Sequence, residues 1–445
     1  MKFLKRLILI SLAFFMMLAG GLYGVSLFLK SGFDDETAGS FSVDSPQTAV
    51  HDAPIQEAPI PGPDENEDEQ HTTAMPKADG GSQQSSMVSI SERTPAVGYD
   101  IATNATGKAP EHTGRRINIA LIGVDSRLND RTKHADANHI ISIFPESGNV
   151  DITSIPRDTK ADAGYPADSK LNILTIVRSK RGINGYLAEA AKIAECGKID
   201  YYVEVGFSQA MGILELLGYN DPSSSLQVLR SRTALGNGDY QRSYSQGQFV
   251  RQMLLKNFNR LTGLSGSLLV RGGLMMVETN ITADVANGII EELEKANFGH
   301  NPNAVSVRLV PAFPAKFKVY DFTQQETFTS LKSKIEKYNK WRDPVETDFE
   351  KPIGKFNPLP MLKSALAYGE RNVAKNAKHV VARLRTLYDQ RAWLQVEDPV
   401  ERQAIRQQFL EILPQAYEKI QKPAEAEKIR NTISAEIEIF SKAKM

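Results

Sequence analysis

The chain has 445 residues, with 53 Lys and Arg against 53 Asp and Glu, so its formal charge at neutral pH is zero. That length suits two folded domains plus unstructured tracts. The charge balance gives no global field for nucleic acid, and any anion site has to be local. The single cysteine, Cys196, excludes an intramolecular disulfide and reads as a small buried apolar residue on a helix.

Lys2, Lys5 and Arg6 precede Leu7–Leu29, a run without charge and about long enough to cross a bilayer as a helix. The positive flank predicts a cytoplasmic tail at 1–6 and a single-pass protein of the cell membrane, with everything after Lys30 extracytoplasmic. A signal peptide cleaved near Ala19-Gly20-Gly21 competes with this reading, and the length of the apolar run favours the uncleaved anchor. From about 30 to 113 the composition shifts to Pro, Asp, Glu, Gln, Ser and Gly, including the acidic run Asp64–Glu69 and the low-complexity Gly80–Ser86. Such a segment buries too little apolar surface to offset its chain entropy, so a disordered tether is expected.

Periodic structure is expected from Ile117. Ile117–Gly123, His139–Phe144, Val150–Ile155, Tyr201–Val205 and Val305–Val310 read as strands, the second and third joined by a Pro-Glu-Ser-Gly-Asn hairpin turn. Helices fit Gly182–Cys196, Ser208–Leu217 with Ser208 as N-cap, Gln246–Leu261 and Ala283–Lys295. Interspersed strands and helices argue an α/β domain with a mixed sheet over 114–320. Beyond it, Thr323–Trp341, Pro360–Leu387, Pro399–Leu413 and Ala424–Ala443 carry helical spacing between Pro-containing breaks, which predicts an all-helical region over 321–445.

The polar residues that interrupt the apolar pattern fall at strand ends, where ligands of open α/β sheets bind. Asp125 and Arg127 follow the first strand, and Asp136 precedes His139. Arg157 and Asp158 follow Ile155, with Lys170 and Asn172 next. The segment from Arg230 through Arg232, Asp239 and Arg242 to Gln246 then places three guanidiniums in one turn-rich stretch that runs into a helix. A solvated charge run accounts for such a cluster, and a surface ion pair accounts for Arg157 with Asp158. Taken together they read as one site. Carboxylates at Asp125 and Asp136 suit Mg²⁺, which completes its shell with water and phosphate. Planar arginine forks suit phosphate oxygens. A pyrophosphate site, with charge stabilised on a leaving phosphate, is the chemistry these residue types support.

At these residues the chain resembles the LytR–CpsA–Psr (LCP) family of envelope enzymes. The matches are Gly123-Val-Asp-Ser-Arg127, Ala135-Asp136, Ser154-Ile-Pro-Arg-Asp-Thr159, Lys170-Leu-Asn172, Ile199-Asp-Tyr-Tyr-Val203, Arg230-Ser-Arg232, Asp239-Tyr-Gln-Arg242 with Gln246, and Val277-Glu-Thr-Asn-Ile-Thr282. They span about Arg115–Pro314. The resemblance implies an LCP-type α/β/α sandwich with an apolar pocket for a prenyl tail. It also implies transfer of a glycopolymer from a polyprenyl-pyrophosphate carrier to peptidoglycan or another envelope acceptor, through a phosphodiester. Asp125 and Asp136 would hold Mg²⁺. Arg157, Arg230, Arg232 and Arg242 would bind the pyrophosphate together with Lys170 and Gln246. Arg127 would contact phosphate or orient Asp125, and Asp239 is counted among the substrate-binding residues. The chain departs from the family pattern at His134, where Arg is usual, at Ala137, where Thr is usual, and in Ile173–Arg178 after the Lys-Leu-Asn motif. A non-catalytic envelope protein that binds such lipids or peptidoglycan, its C-terminal helices contacting a protein partner, is the competing reading. A polyprenyl pyrophosphatase is the third.

Overall fold

The computed structural model describes residues 96–100, 108–125, 128–129, 132–232, 234–236, 238–341 and 357–442. The apolar run Leu7–Leu29, most of the expected tether and Arg127 lie outside them. Among the described residues no helix is long and apolar enough to cross a membrane.

Six strands form the central sheet: β2 (Ile117–Asp125), β3 (His134–Phe144), β4 (Asn149–Ser154), β5 (Tyr201–Gly206), β6 (Glu278–Thr279) and β7 (Val305–Leu309), in the order β6-β5-β2-β3-β4-β7. Strands β2, β3 and β4 form an antiparallel meander, while β5 and β7 add in parallel to β2 and β4. The turn between β3 and β4 closes with Gly148 at φ 66°, a left-handed conformation that favours glycine. The sheet is mixed, as the sequence pattern implies. A separate antiparallel pair joins β1 (Ala96–Asp100) to β8 (Phe317–Tyr320).

Each face of the sheet is covered by helices. On one, α1 (Leu174–Ala194) packs Leu174, Val177, Tyr186 and Ala190 onto Ala120, Ile122 and Ile140, with buried Cys196 in the same core. Helix α1 starts eight residues before the expected Gly182, which is instead a kink at φ 66° inside it. On the other face Tyr244 of α4 (Gly238–Asn257) and Ile289 of α6 (Ala283–Lys295) pack against Val150, Ile152, Val307 and Leu309. Helix α4 approaches the sheet closely: a Cβ on Gly247 would stand 2.4 Å from Ser154 Oγ and 2.9 Å from Val307.

Three further helices are α2 (Phe207–Leu216), α3 (Pro222–Arg230) and α5 (Gly263–Met276). Helix α3 is opened by Asp221, whose side chain accepts from Ser224 N, with Pro222 in the first turn. Ser208 is not the expected N-cap of α2. Gly206 holds that position without a side-chain bond, and the buried Ser208 hydroxyl accepts instead from Gln395 Nε2 at 2.8 Å.

The C-terminal part is helical: α7 (Gln325–Trp341), α8 (Leu359–Asn372), α9 (Ala377–Asp389), α10 (Pro399–Lys419) and α11 (Pro423–Lys442). The expected single helix over 360–387 is two, because the chain turns at residues 373–376. The expected break at Pro414 lies inside α10. Trp393, Leu384, Phe409, Leu413 and Ile433 form the core of α8–α11, which also takes in Met276 and packs against Leu128, Ile213 and Leu216. Phe328, Leu331 and Ile335 of α7 join a separate core with Leu214 of α2 and Val228 of α3. The helical region therefore shares apolar surface with the α/β layers.

His139, 3 % exposed on β3, is held neutral, its pKa lowered to about 4 by burial. The unfolded imidazole titrates near 6.5, so this contribution to stability is complete above about pH 6.5 and is lost as the pH falls towards 4. Denaturant unfolding at pH 7 and pH 4.5 should show a steeper acid loss in the wild-type chain than in His139→Asn. The difference is expected to be on the order of 2–3 kcal/mol, and equal acid losses in the two would refute it.

Candidate active site

The site lies at the C-terminal ends of β2, β4 and β5, and its geometry begins with an irregularity in β3. Gly123 pairs with Ala137 and Val124 with Ala135, which leaves Asp136 as the extra residue of a β-bulge. Asn138 and Ile140 face α1, and so does Ala135 despite its opposite parity. The bulge re-aims Asp136 towards the strand ends. Ala137 stands opposite Gly123, where a Cβ would come within 2.9 Å of its own, so the small residue at 137 has a packing reason here.

From Asp136 a chain of alternating charges extends in both directions. Arg157 Nη1 donates to Asp136 Oδ1 at 3.0 Å, and Thr175 Oγ1 lies 3.5 Å from the same oxygen. Arg230 Nη2 lies 3.1 Å from Asp125 and 3.9 Å from Asp136, so one guanidinium nitrogen serves both carboxylates. The Arg230 guanidinium also rests over the Phe207 ring, 5.3 Å from its centroid. In the other direction Arg157 reaches Asp158 at 3.4 Å, Asp158 reaches Arg232 at 3.7 Å, and Arg232 reaches Asp239 at 3.6 Å. Asp239 then pairs with Arg242 one turn along α4. Four arginines and four aspartates, read from strand ends as separate polar residues, form one connected network.

Burial varies along it. Side-chain exposure is 45 % at Asp125 and 49 % at Asp158, 18 % at Asp136 between them, and 14 % at Asp239 and 7 % at Arg242. Arg242 is depressed from the ordinary arginine range by burial and by the neighbouring Arg232 and Arg157 guanidiniums, in spite of Asp239. Arg157 goes the other way, because Asp136 and Asp158 outweigh its burial. Three buried atoms around the deep end have no hydrogen-bond partner: Arg242 Nε, Asp239 Oδ2 and Gln246 Oε1. Three guanidiniums this close, one of them buried, offer charge-assisted bonds to an anion placed among them.

Other residues shape the site without joining the network. Gln246 Nε2 donates to Leu229 O at 2.9 Å and ties α4 to the end of α3 beside Arg230. Asn172 brackets the loop after Arg157, accepting from Ala163 N and Tyr165 N and donating to the Tyr165 and Pro166 carbonyls. Lys170 is exposed in that loop. Arg178, the departure after the Lys-Leu-Asn motif, pairs at 2.6 Å with Glu204, which is 2 % exposed on β5 and also pairs with Lys133. His134 is half-buried and faces Asp125 across the β2–β3 ladder. Asp158, expected only as the ion-pair partner of Arg157, is the link to Arg232 as well, and Thr175 and Phe207 are neighbours that no sequence spacing marks.

Among the described residues no three His, Cys, Asp or Glu converge as a closed metal cage. Two carboxylates converging on one positive centre, Arg230 Nη2, do fit a cation that takes its other ligands from water and phosphate.

An α/β sandwich with an arginine-rich, carboxylate-flanked cluster at its strand ends offers planar donor forks of the kind that suit phosphate oxygens. Residues 69–218, 150 of the 445, match the LytR_cpsA_psr family model. This shows the resemblance carried by the motifs over the segment with Asp125, Asp136 and Arg157, and the match ends before Arg230. No curated protein matches the chain. Among solved structures, B. subtilis TagV aligns at 15 % identity over 52 % of this chain and 100 % of its own, with a TM-score of 0.36. B. subtilis TagT aligns at 16 % over 53 % and 96 % (TM-score 0.32), and gbs0355 of Streptococcus agalactiae at 15 % over 53 % and 90 % (TM-score 0.35). Identities and scores this low add no weight to what the residues themselves say.

Replacing Asp239 by Asn leaves Arg232 and Arg242 without their shared carboxylate. Chemical denaturation should show a loss of about 3–5 kcal/mol, the range for a buried pair broken on one side. Inorganic pyrophosphate should recover more stability in Asp239→Asn than it adds to the wild type.

Proposed function

We propose that the chain is a membrane-anchored extracytoplasmic phosphotransferase that moves a glycopolymer from a polyprenyl-pyrophosphate carrier to a cell-envelope acceptor such as peptidoglycan. The LytR–CpsA–Psr match supports the envelope glycopolymer class, and the uncharged run Leu7–Leu29 supports the anchor. What carries the chemistry is Arg242, buried among like charges with an unpaired Nε beside Arg232 and Arg157. A pyrophosphate placed there relieves that crowding and meets several charge-assisted donors at once.

In this reading an acceptor hydroxyl attacks the phosphorus nearer the glycan. The new P–O bond forms as the bond to the bridging oxygen breaks, the hydroxyl proton passes to solvent, and prenyl phosphate leaves. Arg157, Arg232 and Arg242 hold the diphosphate and stabilise the charge that grows on the leaving group. Arg230, poised between Asp125 and Asp136, turns to phosphate when substrate arrives. Asp125 and Asp136 would then hold Mg²⁺, which supplies Lewis-acid polarisation of phosphoryl oxygens. Gln246 keeps Arg230 in place through the end of α3. Water as acceptor would make the same site a pyrophosphatase. His134, where the family pattern has Arg, supports the binding-only reading.

The full chain in detergent, supplied with a prenyl-pyrophosphate substrate and Mg²⁺, is expected to release prenyl phosphate. Arg230→Ala or Arg242→Ala should lower turnover by a factor on the order of ten to a hundred or more, the value of one charge-assisted bond of about 1.5–3 kcal/mol. Turnover untouched by either change sinks the assignment. Tight lipid binding without turnover, with polyprenyl phosphate found by mass spectrometry of the purified protein, selects the binding-only reading.

A further inference from the structure

The C-terminal helices have no part in the proposed chemistry, and the family match stops well short of them. Their turn at residues 389–395 nevertheless touches the frame of the site at three points. Asn129, four residues after Asp125, donates its backbone N–H to Gln390 Oε1 at 2.8 Å. Gln209 Nε2 donates to Asp389 O at 3.1 Å, and Gln395 Nε2 donates to Ser208 Oγ at 2.8 Å. Ser208 and Gln209 directly follow Phe207, whose ring carries Arg230.

The same turn reaches Asp125 from a neighbouring strand. Gly206 is paired with Val124, the residue before Asp125, across the parallel β2–β5 ladder. A Cβ on Gly206 would stand 2.3 Å from Gln209 Oε1, so the Gln209 amide is folded against that backbone while its nitrogen holds Asp389. Apolar contacts back the polar ones. Leu128 and Ile213 pack on the helical core, and a Cβ on Gly212 would meet Leu394 at 2.9 Å. Deeper in, Arg391 Nη2 donates to Met275 O at 3.1 Å, fixing the turn to the end of α5. Asn129 itself has φ 66°, a left-handed conformation that asparagine tolerates better than most residues.

We infer that the C-terminal helical region is a positioning element of the anion site: its turn at residues 389–395, with Gln390 foremost, holds Asn129 and the start of α2 beneath Arg230. Gln390 touches no substrate in this arrangement. It holds Asn129, four positions along the chain from Asp125, while Asp389 and Gln395 hold the start of α2. A shift of Asn129 and of the start of α2 moves Asp125 and the Phe207 ring relative to Arg230, and such small misplacements weaken a site out of proportion to the stability lost. The inference rests on the anion-site reading for its consequence, but not for its geometry.

The test uses the full chain in detergent with three variants. Gln390→Ala removes the acceptor for Asn129 N–H, and Gln390→Glu keeps one. Lys363→Ala breaks an ion pair with Glu401 elsewhere in the helical region. Hydrogen exchange read by mass spectrometry on a peptide containing Asn129, with inorganic pyrophosphate affinity by calorimetry, gives two independent readouts. In Gln390→Ala, exchange at that peptide should rise about tenfold and pyrophosphate affinity should fall about tenfold. Gln390→Glu should restore both, Lys363→Ala should change neither, and melting temperature should move only a few degrees throughout. Unchanged exchange in Gln390→Ala overturns the inference, and so does faster exchange with unchanged affinity. If the wild-type chain binds no pyrophosphate, the anion-site reading fails on its own, and the exchange arm alone decides whether the turn holds Asn129.

Discussion

The site depends on one carboxylate being shared. Asp136 accepts from Arg157 and lies close to Arg230, and through those two guanidiniums it joins the β2 end of the site to the β4 end. It can do so because it is the unpaired residue of a bulge. In regular antiparallel pairing residue 136 would carry the same parity as Asn138 and Ile140 and point into the α1 core, where an ionised carboxylate is costly. One extra residue in β3 thus converts a core position into a strand-end ligand. Ala137 opposite Gly123, and Thr175 beside the carboxylate, are the local packing that goes with it.

Much of this was legible in the chain itself. The strands β2, β4, β5 and β7 show as short apolar runs between turn residues, because strands covered on both faces need no alternation. The aspartates and arginines were visible as polar interruptions at their ends. Other elements were hidden for physical reasons. Helix α5 has glycines at 263, 266, 272 and 273 that blur its period, yet Gly272 is required because a Cβ there would run into the Ile439 side chain. The first half of α1 was hidden behind Gly182, which bends the helix rather than beginning it. Strand β3 starts at His134, earlier than the apolar run suggests, because its first residues are those of the bulge. The link from Asn129 to Gln390 spans 261 positions, and neither residue is unusual for its surroundings in sequence. Partners that distant are fixed only by the fold.

His134 looks different once its place is known. Facing Asp125 across the ladder, it stands beside a carboxylate that Arg230 already serves. Positive charge at the site is supplied by Arg157, Arg230, Arg232 and Arg242, so an imidazole at 134 changes the rim more than the deep end. Arg178, in the departing stretch after the Lys-Leu-Asn motif, is likewise absorbed locally by Glu204. Both departures therefore bear on what surrounds the diphosphate more than on the residues that would hold it.

Ion clusters alone do not identify a site, and this chain contains a control. Glu436, 1 % exposed, accepts from Trp393 Nε1 at 2.6 Å and Arg406 Nη1 at 3.2 Å, with Arg391 3.5 Å away. It too leaves buried polar atoms without hydrogen-bond partners, among them Glu436 Oε2 and Arg406 Nε. What differs is access. The Glu436 cluster is closed on its sides by the helical core, with every charged member under 10 % exposed. In the Asp125–Arg242 network two carboxylates, Asp125 and Asp158, are about half exposed, while Arg242 is 7 % exposed. A closed cluster can only hold helices together, whereas one with half-exposed members keeps part of its charge open to solvent and to an entering ion. That opening, more than the number of arginines, sets the strand-end network apart from the closed one.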